Sequence, residues 1–210
     1  MEIRNELSKE KAASIYEKAS FYAEGRRGII KRYDTFAVKE ERKETDAENV
    51  IANEATFTYL LSEKSYVPDF YYYDDEEKYL IREFIDGISF RSVLEENNEE
   101  KDIKQVILRL LDICRDLDKE GVDKSELQRP LKDVILVDQP YLIDFERCTH
   151  SRTPSNVTQF VQFIISDRYK DVFETINIPL TFDEGVRLCK RYKKTYDEKW
   201  FQKIKERVEG

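Results

Sequence analysis

A change of hydrophobic period near residue 90 is the strongest constraint on how this chain can fold. Before it the pattern is mostly that of strands, interrupted by one helix. After it the pattern is mostly helical, interrupted by one pair of strands. Residues 14–23 and 28–33 read as strands that flank a glycine-containing turn, and 35–40 as a third strand. A helix is expected over 46–63, followed by strands near 69–73 and 78–84. Helices are expected at 89–97 and 102–119. The second carries the stripe Ile103, Val106, Ile107, Leu110, Cys114 and Leu117 at helical spacing. A buried hairpin follows: Val134–Val137, the turn Asp138-Gln139-Pro140, then Tyr141–Asp144. Helices at 155–170, 182–195 and 197–208 close the chain, with the stripes Val157, Phe160, Val161, Ile164 and Tyr196, Trp200, Ile204, Val208. Strands grouped ahead of helices, without repeats or a Pro/Gly/Ser linker, indicate an α+β fold.

Composition narrows the function classes. Of 210 residues, 40% are hydrophobic, enough for a sizeable core, so wholesale disorder is excluded. The net charge of −8 excludes a general nucleic-acid coat protein. Purely apolar runs such as Val134-Ile135-Leu136-Val137 fall far short of the roughly 20 residues a membrane span needs. The first residues, Met1-Glu2-Ile3-Arg4-Asn5-Glu6, lack a signal-peptide core, and the chain reads as cytosolic. Three dispersed cysteines (Cys114, Cys148, Cys189) and one histidine, His150, support neither a zinc site nor a disulfide framework. Cys114 fits the core stripe of its helix, and His150 reads as a loop residue. Charge is segregated: 24–43 carries net +3, 69–102 net −8 and 183–210 net +3.

The first of these segments coincides with Glu24-Gly25-Arg26-Arg27-Gly28-Ile29-Ile30. Glycines in a turn let backbone N–H groups approach a phosphate. Strand patterns on both sides exclude a Walker A loop and a Rossmann turn, leaving a glycine-bearing hairpin that could lie over a nucleotide. In Ala37-Val38-Lys39, alternation puts Ala37 and Lys39 on one face, a small residue beside a cation. On the helix at 46–63, Glu54 interrupts the apolar stripe Ala47, Val50, Ile51, Thr58, Leu61. A carboxylate there is costly unless a cation meets it, and Lys39 is the nearest upstream candidate. Plainer readings stand beside these: an ordinary hairpin turn, an edge-strand lysine, a solvated Glu54.

In the second half Asp144 ends a buried apolar strand and precedes Phe145, which makes it a metal-ligand candidate. The loop between the long helix and the hairpin holds Asp123, Glu126 and Asp133. A helix, an acidic loop and a buried hairpin ending in an acid form the layout of a phosphoryl-transfer site.

In this order the motifs resemble a protein kinase, specifically the small RIO-like archaeal serine/threonine kinases. The resemblance covers residues 14–165 and rests on Gly25 and Gly28, Ala37-Val38-Lys39, Glu54, Arg82-Glu83-Phe84-Ile85-Asp86-Gly87, Lys124-Ser125-Glu126-Leu127 and Ile143-Asp144-Phe145. It implies a bilobal kinase-like fold, with a β-rich lobe over 1–84, a hinge at 85–88 and a truncated helical lobe over 89–210. It implies ATP and Mg²⁺ as cofactors. Lys39 would bind the α/β-phosphates and Glu54 orient it. Gly25, Gly28 and Ala37 would line the nucleotide, the Glu83 and Ile85 backbone would hold adenine, and Asp144 would bind Mg²⁺.

There are departures. The usual His-Arg/Gly-Asp is Lys124-Ser125-Glu126, so the base or orienting group is a glutamate. Leu131 stands where a metal-binding Asn belongs, and Asp133 is its stand-in. Glu146 replaces the glycine of Asp-Phe-Gly. No activation loop with Ala-Pro-Glu follows. The expected activity is Mg·ATP-dependent transfer to a hydroxyl of a protein Ser/Thr. An ATP-binding switch or pseudokinase and a small-molecule kinase are the alternatives. Lys190-Arg191-Tyr192-Lys193-Lys194 raises a contact with RNA or the ribosome.

Overall fold

The computed structural model describes residues 6–25, 28–41, 50–96 and 103–210. Arg26, Arg27 and Ala47 lie outside the described residues, as does the start of the helix expected from 46. The chain forms two compact units. The first is Met1–Gly87 with Tyr141–Cys148; the second is Ile88–Pro140 with Thr149–Gly210.

The first unit runs α1 (Lys9–Lys18), β1 (Ser20–Glu24), β2 (Gly28–Tyr33), β3 (Phe36–Glu41), α2 (Val50–Leu60), β4 (Phe70–Asp74) and β5 (Tyr79–Glu83). The strands make one antiparallel sheet in the order β1-β2-β3-β5-β4. Helix α1 corrects the strand expected over 14–23. Ser8 caps it by accepting from the Lys11 N–H, and Ala12 and Ile15 are its buried residues. The strand is confined to β1, where Phe21 and Tyr22 are exposed. Side-chain alternation divides the sheet's contacts. Val38, Tyr72, Tyr79 and Ile81 pack with Ala12 and Ile15 of α1, whereas Phe70 and Leu80 pack with Ile51 and Ala55 of α2. Lys39 stands opposite Leu80 and so belongs to the α2 side.

The remaining elements are β6 (Ile88–Ser89), α3 (Phe90–Glu95), α4 (Ile103–Lys119), β7 (Val122–Asp123), β8 (Val134–Leu136), β9 (Pro140–Leu142), β10 (Thr149–His150), α5 (Asn156–Ile164), a 3₁₀ turn (Asp167–Tyr169), α6 (Lys170–Thr175), α7 (Phe182–Thr195) and α8 (Glu198–Glu209). The helix expected over 155–170 is thus divided, and α6 is an addition. So are the short pairings of β6 with β8 and β7 with β10, which place His150 opposite Val122.

In the second unit Ile103, Ile107, Leu110, Leu111, Cys114 and Leu117 of α4 are buried, with Val157, Phe160, Val161 and Ile164 of α5. The α7–α8 corner turns at Tyr196, in the left-handed region at φ 52°. Arg115 holds that corner to α4, donating to the Tyr192 hydroxyl at 3.0 Å and the Tyr196 carbonyl at 2.8 Å. Phe201, rather than Trp200, fills the core between Ile204 and the corner; Trp200 is half-buried. No described helix is long and apolar enough to cross a membrane.

Candidate active site

The first unit gathers a charged cluster inside apolar surroundings. Lys39, from the centre of β3, is 7% exposed, and Glu54, from α2, is 0% exposed. The Lys39 ammonium donates to Glu54 Oε2 and, at 3.2 Å, to Asp144 Oδ1; Glu146 Oε2 lies 3.6 Å away. The helix carboxylate on the apolar stripe is therefore met by the strand lysine. Arg82, buried at the end of β5, brings its Nε to 3.8 Å from Glu54 Oε1 and donates from Nη1 to the Glu83 carbonyl at 3.0 Å. Asp144 follows β9 in the left-handed region at φ 65°. Sequence reasoning assigned no role to Arg82 or Glu146. For Arg82 the available signal was a cation inside the apolar run Tyr79-Leu80-Ile81.

Electrostatics follow from burial and charge balance. Burial alone would drive the Lys39 ammonium down, but Glu54, Asp144 and Glu146 outweigh it, so its pKa lies above the ordinary lysine value. Burial pushes the Glu54 carboxyl up, against the pull of Lys39 and with the added push of Asp144. Among the described residues, Glu54, Asp144 and Glu146 gather around the Lys39 ammonium, with Arg82 close to Glu54.

A grouping of carboxylate oxygens is suited to a divalent cation. Glu54, Asp144 and Glu146 each offer an oxygen, all within 4.8 Å of one another. Hard oxygen donors of this kind fit Mg²⁺, which takes one or two carboxylates and completes its shell with phosphate and water. The lysine beside them offers a phosphate a cation.

The glycine turn reveals a division of labour. A Cβ on Gly28 would lie 3.0 Å from the Glu40 carbonyl oxygen and 3.3 Å from Lys39 Cε, so the missing side chain gives the lysine its path. Gly25 closes the turn by donating from its N–H to the Gly28 carbonyl at 2.9 Å, and a Cβ there would meet nothing nearer than 3.8 Å. Ala37 is buried on β3, opposite Arg32 and Arg82. The Glu83 N–H donates to the Asp69 carbonyl at 2.8 Å. Of the two expected adenine contacts, this leaves the Glu83 carbonyl, which already accepts from Arg82, and the half-buried Ile85 backbone.

The acidic loop belongs to the second unit and is strongly braced. Asp123 accepts from the Ser125 N–H at 2.9 Å, the Ser155 N–H at 2.9 Å and the Gln159 carboxamide at 3.2 Å. Gln159 also accepts from the Leu127 N–H at 3.1 Å. The residues on both sides of Glu126 are thereby fixed, with Ser125 at φ 70° and Glu126 half-buried. Asn156, 0% exposed, accepts from the Lys124 N–H at 2.9 Å and donates to Asp118 and the Val122 carbonyl. Lys124, 2% exposed, donates to Asp133 at 3.0 Å. Asp123 is thus a scaffold for the loop, and Asp133 has an ammonium against it.

The basic run 190–194 does not act as one face. Tyr192 is buried. Lys193 donates to the Thr153 and Pro154 carbonyls and to Ser155 Oγ at 2.6–2.7 Å, and the Arg191 guanidinium lies 4.7 Å from the Trp200 ring centre.

No family model matches the chain. A protein of Methanocaldococcus jannaschii, described as uncharacterized protein MJ1211, is 28% identical over 115 residues, which are 53% of this chain and 98% of that protein. Two solved structures are similar in fold: a co-crystal structure of WbdD with the kinase inhibitor LY294002, and a structure of the bifunctional kinase-methyltransferase WbdD. Both have a TM-score of 0.59 and 16% identity; they match 90% and 88% of this chain and 45% and 43% of theirs. The chain spans less than half the length of the WbdD chains it matches. An antiparallel sheet in the N-terminal part and helices in the C-terminal part are shared with these kinase-like proteins, and the α+β kinase-like fold is that of this chain.

Proposed function

We propose that the protein transfers the γ-phosphoryl group of ATP to a hydroxyl, as a RIO-like serine/threonine protein kinase. The observation that carries this reading is the buried contact of Lys39 with both Glu54 and Asp144: a strand lysine, a helix glutamate and an acid just beyond a strand. Glu54 fixes the ammonium and Lys39 presents it to the nucleotide phosphates. Asp144 would hold Mg²⁺, with Asp133 as the proposed stand-in for the usual asparagine, and the ion would supply charge neutralisation to the phosphates. Gly25, Gly28 and Ala37 line the nucleotide, and the Glu83 and Ile85 backbone receives adenine. Glu126 accepts the acceptor hydroxyl's proton as its oxygen bonds to the γ-phosphorus and the bond to the ADP oxygen breaks. Positioning and charge neutralisation supply most of the rate.

A second reading, transfer to a small-molecule hydroxyl, is favoured by one feature. Only nine residues separate Glu146 from Asn156, the first residue of α5, which leaves no long segment for docking a peptide.

Turnover of radiolabelled Mg·ATP, with the protein itself, a mixed protein substrate and small alcohols as acceptors, tests the proposal. Asp144→Asn should abolish turnover and leave the fold intact. Glu126→Gln should lower transfer by on the order of 10²–10⁴-fold while ATP affinity is kept. Unchanged transfer in either variant contradicts the role given to that residue. ATP binding without transfer to any acceptor in the wild type would favour a nucleotide-operated switch.

A further inference from the structure

We infer that Asn53 is the positioning residue for Asp144, so that helix α2 controls both the lysine and the metal-binding turn; this rests on the kinase reading above. Asn53 and Glu54 are consecutive on α2 and serve two partners. Glu54 meets the Lys39 ammonium. Asn53 donates from its one carboxamide nitrogen to two backbone carbonyls of the turn after β9, that of Glu146 at 2.8 Å and that of Cys148 at 3.0 Å.

The turn needs such a hold. Asp144 is a non-glycine residue in the left-handed region, a conformation that persists only where its surroundings over-determine it. Further restraints lie to either side of the carboxylate, among them Leu142 N–H to the Tyr66 carbonyl at 2.7 Å, the buried Phe145 ring, and Cys148 N–H to the Phe145 carbonyl at 3.1 Å. Asn53 ties the far limb of the turn to α2. A shift of α2 would move Glu54 relative to Lys39 and release the Glu146 and Cys148 carbonyls together. The Asp144 oxygen that meets Lys39 would lose its place, as would the Glu146 oxygen beside it. The geometry thus ties the turn that carries Asp144 to the helix that carries Glu54, through Asn53.

Two variants test this. Asn53→Ala removes the donor and suits a helix. Asn53→Asp keeps the shape but sets a carboxylate against two carbonyls. Thr56→Ala, which removes a hydroxyl that donates within α2 to the Ala52 carbonyl, controls for loosening of the helix. Two readouts besides turnover are used: Mn²⁺ affinity of the protein saturated with a non-hydrolysable ATP analogue, by electron paramagnetic resonance, and amide hydrogen exchange over 143–148. Both Asn53 variants should weaken Mn²⁺ binding by on the order of 10-fold or more, the usual cost of losing a group that orients a metal ligand. They should also speed exchange in the turn, with the metal-free affinity for the analogue unchanged and Thr56→Ala like wild type. Wild-type Mn²⁺ affinity and wild-type exchange in both Asn53 variants would overturn the inference. Wild-type protein that binds neither analogue nor Mn²⁺ would count against the kinase reading instead. In that event the exchange rates still decide whether Asn53 holds the turn.

Discussion

Lys39 and Glu54 offset each other's cost of burial, with Asp144 and Glu146 also near Lys39 and Arg82 near Glu54. Removing one partner of a buried pair leaves an uncompensated charge and costs about 3–5 kcal/mol. Lys39→Met should therefore destabilise the protein by about that much in urea unfolding at neutral pH. The loss should depend on pH in a defined direction. Burial already holds the Glu54 carboxyl above its ordinary value, and Lys39 is the main opposing influence. Without Lys39 the carboxyl rises further. A carboxyl whose folded pKa is raised contributes stability that is fully present below its unfolded value near 4.5 and lost as pH rises through the folded value. The variant should thus lose ground to wild type from about pH 4.5 upward, and Glu54→Gln in the same chain should flatten that loss. The wild-type Lys39 contribution, from a raised lysine, is present below 10.5 and lost only above it. An equal gap between Lys39→Met and wild type at pH 5 and pH 8 would contradict the pairing.

The same residues show what a sequence can and cannot disclose. Glu54 was legible because an acid on an apolar helical stripe has few explanations. The place of Asp144 was legible because it follows closely on a buried apolar strand, which ends at Leu142 rather than at Asp144. Asn53 was not, because a carboxamide on a half-buried helical position has no periodic signature, and its partners are carbonyls more than ninety residues away. Glu146 stood out only as a missing glycine; that its side chain approaches Lys39 depends on a backbone conformation the sequence does not announce.

At the scale of elements, β2 and β3 illustrate how a strand can carry chemistry. Glycine at position 28 costs strand stability, yet it is paired opposite Glu41 because the space above it belongs to the Lys39 stem. Gly28→Val should push that stem aside, with an overpacking cost of about 1–3 kcal/mol, and should weaken ATP binding. Gly25→Ala should lose less on both counts, since its Cβ has room. Fluorescence titration with a nucleotide analogue distinguishes them, and equal losses in both variants would contradict the assignment. Strand β4 and helix α4 were readable because each buries a regular face, and β3 and β5 because each is a short apolar run buried at consecutive positions. Helix α1 leaves a weak periodic signal because only Ala12 and Ile15 of it are buried, and a strand, β1, begins two residues after it ends. The pairings of β6 with β8 and of β7 with β10 are two residues long, too short to leave any period.

Across the whole molecule, charge is used locally rather than as a single field. The chain carries net −8, yet Lys39, Arg82, Arg115 and Lys124 are all buried against carboxylates or carbonyls. The basic C-terminal segment spends Lys193 on the Thr153–Ser155 loop, so it contributes to the fold at that position. The two units hold separate parts of the proposed machinery. Lys39, Glu54 and Asp144 belong to the first, and Glu126 and Asp133 to the second. The claim on which the account turns is that the cluster in the first unit receives a magnesium-bound nucleotide. Calorimetric titration of a non-hydrolysable ATP analogue, with and without Mg²⁺, measures it directly. One nucleotide should bind per chain, more tightly with Mg²⁺ than without, and the Mg²⁺ enhancement should vanish in Asp144→Asn. Absence of binding, or binding to which neither Mg²⁺ nor Asp144 makes any difference, would contradict it.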